Sequence, residues 1–265
     1  MTDVFEGKVC IVTGGSSGIG FAVSEALLKR GAAVYIVGIP AESVNAAKEK
    51  LAAYKNARYA VVDVSCYEDV QKTVDDAVVE FGRLDYMFNN AGLGATLQFE
   101  TATLEYWKKI IDVNLWGVIY GVHAAFPVMA KQGSGHIINT ASIAGLLAPP
   151  YQALYCASKF AVVGITEALR YEHEYRGIAF STVCPGNVAT PIFGPLEPPK
   201  DAISAEEAAQ IILAGVEQKE GLIIFPESVK QMYLALRADQ EKIDVVMKEM
   251  AETRRKAYAT GGKYY

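Results

Sequence analysis

The sequence predicts an α/β chain: a doubly wound parallel sheet of about seven strands with helices on both faces. Three observations predict it. Short β-branched runs alternate with longer helical patterns, strand then helix, from the start of the chain through residue 89. Such alternation argues for parallel strands joined by helical crossovers, each right-handed. The strand candidates are apolar almost throughout, as a sheet covered on both faces requires. Finally, the first of them runs into a glycine-rich turn that opens directly onto a helix.

Residues 7–13 (GKVCIVT) read as a buried strand and 18–30 as a helix stopped by Gly31. A strand at 33–37 and a helix at 42–54 follow, then a strand at 58–63 and a helix at 68–81 closed by Gly82. The fourth strand is 84–89. One long helix is expected over 104–131, a strand at 135–142, a helix over 151–175 and a strand at 178–184. A Pro- and Gly-rich loop runs from 185 to 200. Ser204 and Glu207 have the spacing of a capping box and start another helix. Residues 221–225 (GLIIF) make the seventh strand.

The 265 residues suffice for one large α/β domain with a sizeable core. No repeat or linker interrupts them, so 1–265 is read as one catalytic domain, with a substrate loop at 186–205 and a helical tail at 226–265. That tail is expected to pack on the body or on a second subunit rather than cover a cleft. Hydrophobic residues at 51% and charged residues at 21% fit a soluble globular protein. The net charge is −5 and no Lys/Arg cluster stands out, which argues against nucleic-acid and anionic-membrane partners. The start, MTDVFEGKVCIV, lacks the pattern of a secretory signal, and no apolar run is expected to span a bilayer. Cys10, Cys66, Cys156 and Cys184 form no Cys-x-x-Cys pair, and no metal-ligand cluster is visible. A reducing, cytoplasmic compartment is expected.

Thr13-Gly14-Gly15-Ser16-Ser17-Gly18-Ile19-Gly20 joins the first strand to the first helix. Glycines let the backbone turn tightly and approach a ligand closely. A helix N-terminus offers unpaired N–H groups and a positive dipole end to a pyrophosphate. The spacing is Gly-x-x-x-Gly-x-Gly, and the Gly-Lys-[Ser/Thr] ending of a P-loop is absent. Further along, Tyr155 and Lys159 stand four residues apart in LYCASKF and share one helix face. A free phenol, with a pKa of about 10, is a poor base near neutrality, and a neighbouring ammonium is expected to lower it. Ser142, upstream in HIINTASIAG, could hold a carbonyl oxygen beside the phenol.

Taken together these motifs resemble the short-chain dehydrogenase/reductase family, classical type. TGGSSGIG is similar to its cofactor turn, and Asn89-Asn90-Ala91-Gly92 to the motif after its fourth strand. Asn114 in DVNLWG, Ser142, Tyr155 and Lys159 match its catalytic tetrad, and Pro185-Gly186-Asn187-Val188-Ala189-Thr190 its segment beside the nicotinamide. The resemblance covers residues 7–190 and implies a Rossmann-type fold, a nicotinamide cofactor and assembly into a homodimer or homotetramer through the helices around Asn114 and Tyr155. It implies that Gly14, Gly18 and Gly20 shape the pyrophosphate turn, that Ser16, Ser17 and Ile19 contact the cofactor, and that Asp63 and Val64 hold the adenine. It places Asn90, Ala91 and Gly92 on the ribose side. Pro185, Gly186, Val188 and Thr190 lie by the nicotinamide, and Lys159 bonds its ribose. Asn114 would hold a water linking Lys159 to solvent. Read alone, Asp63 could instead cap the next helix, Asn89 satisfy backbone groups of its own loop, and Thr190 be a turn residue before Pro191.

The sequence departs from the family at the end of the second strand, where Gly38 stands in place of an acidic ribose-binding residue. No cation replaces it, which favours NAD; Ser16, Ser17 and backbone N–H groups leave NADP open. The substrate is expected to meet Gly94, Ile143, Leu146, Ala148, Pro149, Pro150, Gln152 and the loop 188–196, with Leu196-Glu197-Pro198-Pro199 as a mobile edge. These are mostly apolar, and no Arg or Lys stands in those segments before Lys200. An apolar secondary alcohol or ketone follows, of hydroxysteroid, prostaglandin-like or aliphatic type. A cofactor-sensing or scaffold protein on the same fold is the alternative, and a degenerate tetrad would favour it.

Overall fold

In the computed structural model, which describes residues 3–194 and 196–262, the strands are β1 (Val9–Thr13), β2 (Ala33–Gly38), β3 (Ala57–Val61), β4 (Tyr86–Asn89), β5 (Gly135–Thr140), β6 (Ile178–Pro185) and β7 (Leu222–Phe225). They form one seven-stranded sheet in the order β3-β2-β1-β4-β5-β6-β7, and every neighbouring pair is parallel. The expected fold class is the observed one. Residues 1–2 and 263–265 of the expected domain, and Pro195 of the expected substrate loop, lie outside the described residues.

The helices are α1 (Gly18–Lys29), α2 (Ala41–Lys50), α3 (Tyr67–Phe81), α4 (Leu104–Ile111), α5 (Gly117–Gln132), α6 (Ala153–His173), α7 (Ala205–Glu217), α8 (Glu227–Leu236) and α9 (Gln240–Ala259). Successive strand residues point to opposite faces, and the sequence fills both with apolar side chains. Val12, Phe88, Ile138 and Val183 pack on one face with Leu27 of α1 and Ile212 and Leu213 of α7. Ile11, Met87, Ile137 and Phe180 pack on the other with Val74 of α3 and Ala125 and Met129 of α5. Each such buried Val, Leu, Ile, Phe or Met side chain contributes about 1.5–3 kcal/mol.

The chain builds β1, β2 and β3 outward, then returns to place β4 on the other side of β1. The turns after β1 and β4 therefore leave in opposite directions and open a crevice at their carboxyl ends, where doubly wound sheets bind ligands.

Two expectations need correction. The helix expected over 104–131 is two helices, α4 and α5, joined by a π turn at Asp112–Trp116. The helical tail consists of α8 and α9, because Asp239 accepts from the Lys242 N–H and starts α9 afresh. Contrary to the expectation of no such run, Leu104–Gln132 is long and apolar enough to cross a bilayer by length and composition. Here its Val118, Ala124, Ala125 and Met129 are buried inside the fold.

Candidate active site

The glycine turn is packed to backbone contact. Gly14 has φ +62°, and a Cβ there would lie 2.9 Å from Ala91 Cα. A Cβ on Gly20 would stand 2.2 Å from the Gly14 carbonyl oxygen. Thr13, at the end of β1, fixes this turn to the loop after β4. Its Oγ1 accepts from the N–H of Asn90 (2.9 Å) and of Ala91 (3.1 Å), and its carbonyl accepts from Asn90 Nδ2 (3.1 Å). Asn89 does not satisfy its own loop: its Nδ2 donates to Asn139 Oδ1 on β5 at 2.8 Å.

One cleft of about 870 Å³ runs along the carboxyl ends of the strands. Gly14, Ser16, Ser17, Gly18 and Ile19 line one end; Asp63 and Val64 line it too, as do Asn90, Ala91, Gly92, Pro185 and Thr190, with Tyr155 and Lys159. Asp63 does not cap α3, whose N-cap is Cys66; its Oδ1 instead accepts from the N–H and hydroxyl of Ser65. At the β2 end, Gly38 leaves space for Ser16, whose Oγ takes a hydrogen bond from Ser43 Oγ at 2.9 Å.

The π turn turns Asn114 inward, where it is fully buried. Its Oδ1 accepts from the Leu93 N–H (2.7 Å) and its Nδ2 donates to the Leu93 carbonyl (2.9 Å) and to Ser158 Oγ (3.3 Å). Gly92 leaves a gap beside it: a Cβ there would be 3.4 Å from both Asn114 Oδ1 and Lys159 Nζ. Asn114 and Lys159 thus border one small space.

Tyr155 and Lys159 lie on the first turns of α6, with the ammonium 5.7 Å from the centre of the phenol ring. Lys159 Nζ donates to the Thr140 carbonyl at 2.9 Å. Ser142 starts a short 3-10 turn and accepts from the Ala144 N–H at 3.1 Å. Burial pushes the phenol up to about 12, and the Ser142 hydroxyl acts against this. Burial also lowers the Lys159 ammonium to about 8. The expected lowering of the phenol by its ammonium neighbour does not set its titration: burial removes both groups from water and disfavours both charged forms.

Several expected residues sit away from the cleft. Gly20 and Gly186 serve packing, Gly186 against Val229 of α8. Val188 is buried in the core beside α1 and α7. Of the residues expected to meet the substrate, Gly94, Thr190 and the neighbouring Pro191 and Ile192 line the cleft. Ile143 and Leu146 pack instead with Ala141, Val162 and Cys184. Pro150 lines a separate cavity of about 240 Å³ with Leu97, Phe99 and Tyr151. Gln152 donates to Thr96 Oγ1 at 2.7 Å.

Sequence reasoning missed the α4 wall. Glu105, Tyr106, Lys108, Lys109 and Asp112 line the cleft, with Lys108 paired to Asp112, so charge reaches it from a helix not assigned to it. The helical period of α4 could have shown these residues sharing a face, but not which face meets the cleft. Ser43 and Thr140 carried no signal, because they act through a contact to Ser16 and through a backbone carbonyl.

A Rossmann-type sheet with its cleft at the switch point defines the class of protein. The family model described as short chain dehydrogenase matches residues 8–201. A cyclohexanol dehydrogenase from Acinetobacter is 34% identical over 241 residues, covering 90% of this chain and 91% of the relative. The 3beta-hydroxysteroid dehydrogenase 2 of Eggerthella lenta is 38% identical over 192 residues, 71% of this chain and 74% of its own length. A crystal structure of a Burkholderia phymatum short chain dehydrogenase/reductase in complex with NAD superposes with a TM-score of 0.82 at 28% identity, over 91% of this chain and 96% of that one. The chain belongs to the short chain dehydrogenase family.

Proposed function

We propose that this protein interconverts a secondary alcohol and its ketone by hydride exchange with a nicotinamide cofactor, and that Tyr155 gives and takes the proton. The observation that carries this reading is the meeting of Ser142, Tyr155 and Lys159 beside a cleft whose other end is a glycine turn packed to backbone contact. The residues fit a dinucleotide. Gly14, Ser16, Ser17, Gly18 and Ile19 would hold the pyrophosphate, Asp63 and Val64 the adenine, and Asn90, Ala91 and Gly92 the ribose side. Pro185 and Thr190 would flank the nicotinamide, with Gly20, Gly186 and Val188 shaping the walls from beneath.

When bound, the cofactor supplies or accepts the hydride. The chain manages the oxygen. Ser142 orients the carbonyl oxygen and stabilises the developing alkoxide. With its pKa pushed up to about 12, Tyr155 holds its proton at neutral pH and is an acid for ketone reduction. The Lys159 ammonium stabilises the phenolate that remains, and in alcohol oxidation the same phenolate takes the proton back. A water in the gap at Gly92, between Asn114 and Lys159, would return protons to solvent.

Leu93, Ile192 and Tyr106 line the cleft and support an apolar alcohol, as do the activities named for the hydroxysteroid and cyclohexanol relatives. NAD is the proposed cofactor. The β2 end of the cleft presents Ser16, Ser17, Gly38 and Ile39, and no cation among them compensates a 2′-phosphate. The exposed Trp116 and Phe160 support assembly into a homodimer or homotetramer through the π turn and α6.

Titrating NADH and NADPH by fluorescence, then assaying secondary alcohols with the tighter partner, tests both halves of the reading. Tyr155→Phe should lower kcat by about 10²–10⁴-fold and leave cofactor affinity nearly unchanged. Near-normal kcat in that variant would overturn the mechanism.

A further inference from the structure

Helix α9 carries almost none of the core. Arg254 is its only buried residue among the described ones. Arg254 Nη1 donates to the Pro150 carbonyl. One helical turn on, Tyr258 stacks on Tyr151 with ring centres 5.2 Å apart and planes 22° from parallel, and its hydroxyl donates to the Thr96 carbonyl at 3.2 Å. These two side chains therefore grip two separate loops, one after β4 and one before α6.

Under that grip the loops are tied to each other. The Leu97 N–H donates to the Tyr151 carbonyl at 2.8 Å, and Gln152 Nε2 donates to Thr96 Oγ1 at 2.7 Å. Tyr151 has φ +67°, in the left-handed region that a bulky residue occupies only where its surroundings hold it there. The Leu97 hydrogen bond and the Tyr258 stack are such surroundings. The next residue, Gln152, begins α6, and its carbonyl accepts from the Cys156 N–H at 2.7 Å. Tyr155 lies within that first turn, and its ring packs with Ala95, Ile110 and Leu154. A continuous path of contacts leads from α9 to the phenol.

We propose that α9 is a latch on the reacting end of the cleft, with Tyr258 and Arg254 as positioning residues that fix Tyr151 and, through it, the turn bearing Tyr155. Both lie beyond the family-model match at residues 8–201. The latch rests on the proposed alcohol chemistry for its kinetic consequence but not for its structural one.

The test uses the full chain as wild type, Tyr258→Ala, Tyr258→Phe and Arg254→Ala. Hydrogen exchange is read at the Leu97 and Cys156 amides, NADH affinity by fluorescence titration, and kcat and KM with NAD and cyclohexanol. Tyr258→Ala and Arg254→Ala should speed Leu97 exchange by about tenfold or more. They should lower kcat/KM by about tenfold to a hundredfold and leave NADH affinity within about twofold, since the glycine turn is untouched. Tyr258→Phe keeps the ring stack and should recover most of both losses. Unchanged Leu97 exchange in both alanine variants overturns the latch. So does a parallel loss of NADH binding with no recovery in Tyr258→Phe, which marks general destabilisation. Exchange needs no turnover: a wild type inactive on every alcohol tried counts against the proposed reaction, while the exchange data still decide the latch.

Discussion

Lys159 is held where its charge is costly. Its ammonium titrates near 8 in the fold against an ordinary 10.5. Between these values the unfolded chain binds more protons than the folded one, so stability from this group rises with pH across that window. The cost is full below about pH 8 and gone above about 10.5. Lys159→Met should therefore stabilise the fold at pH 7 by about 2 kcal/mol, after allowing for the donor lost at the Thr140 carbonyl. The gain should vanish toward pH 10.5 in urea titrations run at both values. The same variant should lose turnover. Tyr155, pushed up to about 12, has the opposite sign: the folded state holds its proton longer, and stability from this group falls from pH 10 to 12. The spacing of Tyr155 and Lys159 was legible in sequence, because four residues on a helix fix a shared face. The direction of the phenol shift was not, because it depends on how deeply the first turn of α6 is packed, which residues distant in sequence decide.

The glycine turn is an element whose sequence and geometry agree. A Cβ on Gly20 meets Gly14 O at 2.2 Å and Asn90 Nδ2 at 2.5 Å, so Gly20→Ala must displace backbone rather than a flexible side chain. We expect a loss of about 1–3 kcal/mol in stability and of about tenfold or more in NADH affinity, since the turn must present its N–H groups in register. Thermal unfolding and fluorescence titration read these two effects; an intact turn in the variant would contradict both. Strands were legible to within a few residues because their apolar runs are short and bounded by turns: 7–13 was expected where Val9–Thr13 is observed. The π turn at Asp112–Trp116 was not, since DVNLW satisfies a helical pattern as well as its neighbours do. The break before α9 had a local signal in Asp239, an N-cap residue that the charged, helical surroundings masked.

At the scale of the molecule, a buried polar chain ties the sheet to the helix that carries the chemistry. Asn89 Nδ2 donates to Asn139 Oδ1, Asn139 Nδ2 donates to Thr166 Oγ1 at 2.9 Å, and Thr166 Oγ1 donates to the Val162 carbonyl at 2.6 Å. Asn139 is fully buried and lines no part of the cleft. Asn139→Ala should cost about 1–3 kcal/mol by leaving Asn89 and Thr166 short of partners, with kcat unchanged; a large fall in kcat at unchanged stability would show that the chain serves the reaction directly. The parallel seven-stranded plan was legible from alternation alone. The grip of α9 on Pro150 was not, because no local pattern reports which surface a distant helix will find. The strand order also has a consequence for how such a chain can change over time. β1 and β4 are joined by three residue pairs, Cys10 with Tyr86, Ile11 with Met87 and Val12 with Phe88. The nucleotide-side turn lies on one side of this seam and the alcohol-side residues on the other. Genetic recombination between Phe81 and Tyr86 would have to preserve this seam, the Thr13 contacts, and the packing of Leu27 on Ile212 and Leu213 and of Val74 on Ala125 and Met129. The two halves share one core and one cleft, so a foreign half must bring complementary packing with it.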